Sequence, residues 1–119
     1  MTHVNENWPR DSLGCVVGYQ LEHRVNETGV TVHAIGLSLD ARQVHCMVAK
    51  ELMWNVFRRL KPMMFQGKAV HGQTPDDGYF YVFFFVKKEF SEEHVRGLAE
   101  IVGEIVHQFG FEPIVAKAY

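Results

Sequence analysis

The sequence has little cysteine and no long apolar run. Its two cysteines, Cys15 and Cys46, can form at most one disulfide, which excludes the disulfide-rich scaffolds of small secreted proteins. No apolar stretch approaches the roughly 20 residues of a membrane-spanning helix, and residues 1–7 lack the basic start and apolar run of a secretory signal. We therefore expect a cytoplasmic protein with buried, reduced thiols and no membrane association.

The sequence also lacks an excess of positive charge. Twelve Lys and Arg against fourteen Asp and Glu give a formal net charge of -2. A chain with this balance has no positive field to attract phosphate backbones, so nucleic acid is not an expected partner.

Signatures of metal and cofactor chemistry are absent as well. The seven histidines are scattered, and no two share a predicted helix at the spacing of paired metal ligands. No glycine-rich phosphate loop opens a predicted helix. We expect no metal and no cofactor, and no motif in the chain is diagnostic of a known family.

What the sequence does have is the composition of one folded domain. Apolar residues make up 47% of the chain and charged residues 22%, which is typical of globular proteins. A length of 119 residues suits one hydrophobic core. We predict a single domain over 1–119, with residues 1–11 as a loosely ordered N-terminal segment.

Periodicity and turn residues predict a ββαββαβ order. Alternating or β-branched runs predict five strands, at 12–25, 30–39, 63–71, 78–88 and 111–119. Short connections between successive strands favour antiparallel pairing. The expected fold class is α+β, with a mainly antiparallel five-stranded sheet and two helices packed on one of its faces.

Capping signals predict where the two helices begin. Asp40 and Gln43 have the spacing of a capping box, so the first helix is expected to start after Asp40 and to end at Leu60, before Lys61-Pro62. Ser91 is the expected N-cap of a second helix over 92–109, whose apolar residues fall on one stripe.

The fourth predicted strand is apolar at both of its alternating sets of positions, so it must be covered on both faces. A tyrosine hydroxyl needs a polar partner or water, which assigns Phe80, Val82, Phe84 and Val86 to the helix side. The opposite face is then an aromatic floor, and a patch of this size generally marks an interaction site. The expected floor residues are Tyr79, Tyr81, Phe83 and Phe85.

The first predicted helix has a second candidate contact. Met47 and Trp54 lie two turns apart and project among charged residues instead of joining the apolar stripe. Trp, Met and Arg are enriched in the centres of protein interfaces.

Two functional interpretations stay open. The first is a binding or interaction module that acts through the aromatic floor and Met47 and Trp54, as a homo-oligomer or with a protein or small apolar or aromatic ligand. The second is a small cofactor-independent enzyme with a pocket at a subunit interface and a histidine base, His33 or His71. The polar residues available to either are Glu22, Arg24, His33, Gln66, Lys68 and His71.

A third interpretation removes the binding surface altogether. If the sheet curls, or if the N-terminal segment and the last strand fold over it, the aromatic floor is covered within the chain.

Overall fold

The structure, a computed structural model, describes residues 15–25, 29–40, 44, 46–73 and 79–117. The predicted N-terminal segment, 1–11, lies outside the described residues. The elements, in chain order, are β1 (Cys15–Val25), β2 (Val30–Asp40), α1 (Cys46–Leu60), a 3-10 turn (Lys61–Met63), β3 (Met64–Gln73), β4 (Tyr79–Val86), α2 (Glu92–Gln108) and β5 (Ile114–Lys117). The predicted ββαββαβ order is confirmed.

The strands form one sheet with the order β3-β4-β2-β1-β5. The pairs β1–β2, β2–β4 and β3–β4 are antiparallel, whereas β5 lies parallel to β1. The chain reaches β5 from β4 through α2, and a helical crossover of this kind delivers a parallel strand. The α+β class and the mostly antiparallel sheet are therefore confirmed, with one parallel edge.

Helix α2 begins where its local sequence predicts. Ser91 is the N-cap, and its Oγ accepts a hydrogen bond from the backbone N–H of His94 at 3.1 Å. The helix ends before Gly110, which has a φ of +93°, a conformation that glycine adopts without strain. The predicted apolar stripe faces the sheet, with Val95, Leu98, Ala99, Val102 and Val106 buried. Gly103, expected on the outer side of the helix, is buried as well.

Helix α1 begins later than the capping signal predicts. Asp40 remains in β2, paired with Tyr79, and the helix starts at Cys46. The prediction of a helix directly after Asp40 is wrong, because Val44 still lies outside the helix. The end at Leu60 is as predicted, and Pro62 lies in the 3-10 turn that follows. Neither described helix has the length and hydrophobicity that crossing a membrane requires.

The main core lies between the helices and the sheet. Val82, Phe84 and Val86 are at most 3% exposed there, and Phe80 packs against them. The assignment of these four residues to the helix side is confirmed. Cys15 also belongs to this core.

The opposite face of the sheet is buried too, which corrects the expectation of an open aromatic floor. Phe83 and Phe85 are only 7% and 2% exposed in the single chain and form a second cluster with Val32 and Ala34. Further along the same face, Ser38 is 4% exposed.

Two irregularities in the outer strands explain part of this cover. The pairing of β1 with β2 shifts between Gln20 and His23, and the pairing of β3 with β4 shifts between Met64 and Ala69. Both shifts lie level with Phe85, and bulges bend strands and increase their twist. As a result, the ring of His23 stacks on Phe85 at a centroid distance of 5.7 Å.

The two bulges also bring other residues over the second face. Phe65, inside the β3 irregularity, packs against the second cluster. Three residues beside the shifts have positive φ: Glu22 at 54°, Gln66 at 53° and Gly67 at 63°. The burial of this face within the chain agrees with the third interpretation of the sequence.

Two glycines of α2 differ in their surroundings and give a test of the packing. A Cβ on Gly97 would meet nothing within 4 Å, whereas one on Gly103 would lie 3.0 Å from Cγ2 of Val115. Gly97→Ala should raise the free energy of unfolding by about 1 kcal/mol through helix propensity. Gly103→Ala should raise the free energy of unfolding by less than Gly97→Ala does, or should lower it. Urea unfolding measures both, and equal stabilisation would contradict the packing of β5 on Gly103.

The second cluster should contribute to stability like a core. Phe84→Ala and Phe85→Ala remove rings that are 1% and 2% exposed on opposite faces, so each should lower the free energy of unfolding by about 3–5 kcal/mol. Trp54→Ala is the control, since Trp54 is 55% exposed and surface substitutions change stability by about 0.5 kcal/mol. If Phe85→Ala were as mild as the control, the second face would be open.

Candidate functional site

The predicted aromatic floor does not form an open site. The ring of Tyr81 is half-buried, tilted by 52° against Phe83 at 5.8 Å. It also occupies the space beside Gly72, where a Cβ would lie 2.6 Å from the Tyr81 hydroxyl oxygen. The side chain of Tyr79 lies outside what the structure describes. The aromatic rings therefore fill the second cluster and leave no floor for a ligand.

His33 is one of the two candidate bases, and both of its ring nitrogens form hydrogen bonds with the backbone. Its Nδ1 accepts a hydrogen bond from the backbone N–H of Glu22 at 3.2 Å. Its Nε2 lies 2.9 Å from the carbonyl oxygen of Lys88 and 2.8 Å from that of Phe90. Since carbonyl oxygens only accept, Nε2 carries the proton. His33 is 6% exposed and joins three segments of the fold.

His71, the other candidate base, lies far from His33. His33 pairs with Val86 and His71 with Val82. These two positions of β4 are four residues, or about 13 Å, apart along the strand. Directly opposed residues share a face of an antiparallel sheet, which places both histidines on the helix side instead of the aromatic side. The structure does not bring the two together.

The remaining polar candidates are exposed and dispersed. Glu22 lies in the β1 irregularity and Arg24 pairs with Thr31, further along the same hairpin. Gln66 and Lys68 lie across the sheet, inside the β3 irregularity. All four side chains are exposed.

Cys15 is not a reactive nucleophile, and the described residues hold no metal site. Burial raises the pKa of the Cys15 thiol to about 12, so it stays protonated at neutral pH, and the thiolate is the reactive form. Among 15–25, 29–40, 44, 46–73 and 79–117, no three His, Cys, Asp or Glu are grouped so that they could hold a metal ion.

The outer face of α1 carries an exposed surface, which we call the Trp54 stripe. Met47 and Trp54 are 66% and 55% exposed, as the sequence predicts. Residues three and four apart on a helix are neighbours, so charged side chains surround the two apolar ones. Its members are Met47, Lys50, Glu51, Trp54 and Arg58, and the first four line a shallow depression of about 260 Å³.

Neighbouring side chains hold Trp54 and Arg58 in place. The indole stacks on Phe57 at a centroid distance of 5.5 Å and an interplanar angle of 11°. The Arg58 guanidinium lies 5.9 Å from the centre of the Trp54 ring and donates to Oδ1 of Asn55 at 3.4 Å. The Asn55 amide in turn donates to the carbonyl oxygen of Glu51 at 2.8 Å.

A second surface feature, which we call the α2–β5 groove, was not anticipated from the sequence. It is about 490 Å³ in volume and is lined by Glu100, Gly103, Glu104, His107, Gln108, Pro113 and Val115. Gly103 gives the space that lets Val115 approach α2. The only sequence signal was a glycine within α2, since the groove depends on where β5 pairs.

Polar side-chain contacts join α2 to the β5 segment near both ends of the groove. Lys117 Nζ donates to Oε1 of Glu92 at 2.9 Å, and this hydrogen bond lowers the pKa of Glu92. At the other end His107 lies 3.7 Å from Glu112, with both side chains largely exposed. Exposed pairs contribute little to stability, so apolar packing of Val115 on Gly103 is the stronger link.

His23 is a further residue that the sequence did not single out. Its Nε2 is buried and has no hydrogen-bond partner in the part of the chain that the structure describes. Burial lowers the pKa of His23 below 6.5, because a charged ring loses hydration there. The alternation of β1 assigns position 23 to the helix side, and only the bulge turns it onto Phe85.

The lowered pKa of His23 predicts a loss of stability in mild acid. As the pH falls from 6.5, the unfolded chain binds a proton that the folded chain rejects, so the free energy of unfolding decreases until the folded pKa is passed. His23→Phe keeps a stacking ring and removes this proton. Urea unfolding between about pH 7 and pH 5 measures the free energy of unfolding of both proteins. The value for the variant should increase relative to that of the natural protein as the pH falls. A difference that is constant with pH would contradict this role.

Comparison with known proteins gives no family. No protein-family model and no curated protein matches the sequence. Among solved structures, the crystal structure of an essential ribosomal processing protease Prp from S. aureus, in complex with a covalently linked product peptide, is similar with a TM-score of 0.37 and 8% sequence identity. That alignment covers 87% of this chain and 98% of the other. At this TM-score and identity, the similarity supports no functional inference.

Proposed function

We propose that the protein is a non-enzymatic interaction module that binds a protein partner through the Trp54 stripe. The observation that carries the proposal is a tryptophan that is 55% exposed and yet held by neighbours on its own helix. The partner surface originally expected, the aromatic sheet face, is replaced by the outer face of α1.

Preorganisation supports this choice of surface. Ordering a long side chain on binding costs about 0.5–1.5 kcal/mol. The Phe57 stack and the Asn55 hydrogen bond already restrict Trp54 and Arg58 in the free protein. Trp and Arg are also the residues most enriched among those that dominate binding energy.

The enzyme alternative has less support from the same geometry. A general base needs a ring nitrogen within reach of a substrate proton, whereas both ring nitrogens of His33 contact the backbone. A small-ligand site on the aromatic face is likewise disfavoured, because Phe83 and Phe85 leave no accessible floor. The proposed location is the cytoplasm, in keeping with a free, buried Cys15.

Site-specific photo-crosslinking in cells that make the protein tests the proposal. A benzoylphenylalanine at Glu51, inside the stripe, should form a covalent adduct with a protein partner. Trp54→Ala in the same chain should reduce the adduct at least about tenfold, because truncating a central interface tryptophan removes much of the binding energy.

The matched control is the same crosslinker at Glu89, an exposed residue between β4 and α2. It should give little adduct, and Trp54→Ala should not change that amount. Equal adducts at both positions, or an adduct at Glu51 that survives Trp54→Ala, would contradict the proposed contact surface.

A further inference from the structure

The two helices that cover the sheet carry opposite charge. Helix α1 (Cys46–Leu60) has three basic residues and one acidic residue, a net charge of +2. Helix α2 (Glu92–Gln108) has one arginine against four glutamates, a net charge of -3 with its histidines neutral. The charges lie outward, since the inward stripes are apolar. The helix layer therefore presents a basic half and an acidic half.

The two halves also carry apolar features that are complementary to each other. The Trp54 stripe has an indole that is 55% exposed, with Lys50 and Arg58 beside it and Glu51 as its one acidic member. The α2–β5 groove has a floor of Gly103, Pro113 and Val115 with two glutamates, Glu100 and Glu104, among its lining residues. An exposed apolar side chain with mostly basic neighbours thus matches an apolar groove with acidic lining residues.

One chain does not bring these two features together by itself. Helix α1 packs over β4, whereas α2 packs over β1 and β5, and β4 is separated from β1 by β2. The groove opens on the β5 side of α2, away from α1. A stripe and a groove can meet only when they belong to different molecules.

A two-fold arrangement satisfies both features at once. An axis that runs between α1 and α2 places α1 of each copy over α2 of the other, so that two equivalent stripe-to-groove contacts form and the assembly closes.

We infer that the partner of the Trp54 stripe is a second copy of this chain, and that the stripe of each copy docks in the α2–β5 groove of the other. The inference rests on the proposed function, which assigns the stripe as the contact surface. It adds the identity of the partner and the receiving site.

Charge reversal on the purified protein tests the inference. The natural protein should sediment as a dimer at about 100 µM and dissociate as salt screens the charges. In the stripe variant, Lys50→Glu with Arg58→Glu, acidic side chains face the glutamates of the groove and repel them. Its self-association should therefore weaken at least about tenfold. The groove variant, Glu100→Lys with Glu104→Lys, should be weakened similarly. Every substituted side chain is exposed, so circular dichroism should remain native.

Mixing the two variants in equal amounts is the decisive step. The acidic stripe of the first then meets the basic groove of the second, and the unaltered stripe and groove meet as well, so a heterodimer should form. The control is Lys88→Glu with Glu89→Lys, which reverses exposed charges between β4 and α2 and should leave the natural dimer unchanged. A monomeric natural protein, or a mixture that stays monomeric, would overturn the inference.

Zero-length coupling of the unaltered protein gives an independent readout if a variant misfolds. Carbodiimide joins an amine to a carboxylate in contact, so a mixture of light and heavy isotope-labelled chains should yield a peptide that links Lys50 to Glu100 or Glu104 of the other label. A dimer without this link would overturn the docking arrangement.

The crosslinker at Glu51 separates failure of the inference from failure of the proposed function. An adduct with the mass of two chains supports both. An adduct with a different protein keeps the Trp54 stripe as a contact surface and overturns the second copy as its partner. The absence of any Trp54-dependent adduct contradicts both.

Discussion

Strand β4 has bulky apolar side chains on both of its faces, and the need to cover both is the constraint on which the rest of the fold depends. Helices α1 and α2 shelter Val82, Phe84 and Val86. On the other side, Phe83 and Phe85 are packed with Val32 and Ala34, beneath residues brought in by bulges in β1 and β3. A sheet covered on both faces leaves little of itself for binding, which is why the proposed contact surfaces lie on the helix layer and at the β5 edge.

The outward faces of the helices differ in chemistry in a way that a merely solvated surface does not require. Helix α1 combines a restrained Trp54 with basic neighbours, and α2 combines glutamates with a groove made possible by Gly103. In the proposed dimer, apolar area supplies affinity, whereas the opposite charges select orientation and partner. Both features lie in a chain whose formal net charge is only -2, so the separation of charge within the fold matters more than its total.

Local signals predicted the elements well because they act within a few residues. Ser91 caps α2 through the backbone N–H of His94, three residues ahead, and the argument from tyrosine hydroxyls assigned the faces of β4 correctly. The misses are non-local. Glu22 and Gln66 adopt positive φ. Positive φ is uncommon for residues other than glycine, so the identity of these two residues does not predict it. The sequence therefore did not predict the bulges that cover Phe85, and it did not predict that the His23 ring stacks on Phe85. Asp40 likewise carried a helix-start pattern, yet it ends β2 opposite Tyr79 and Val44 still lies outside the helix.

Hydroxyl-radical footprinting across a dilution series tests the central claim, that the sheet is covered within the chain while α1 carries the contact surface. The account predicts that Phe83 and Phe85 resist oxidation at every concentration. Met47 and Trp54 should be oxidised in dilute protein and become protected as the chains associate. Strong oxidation of Phe83 and Phe85 in the dilute, folded protein would contradict the account, because the aromatic face would then be the open surface.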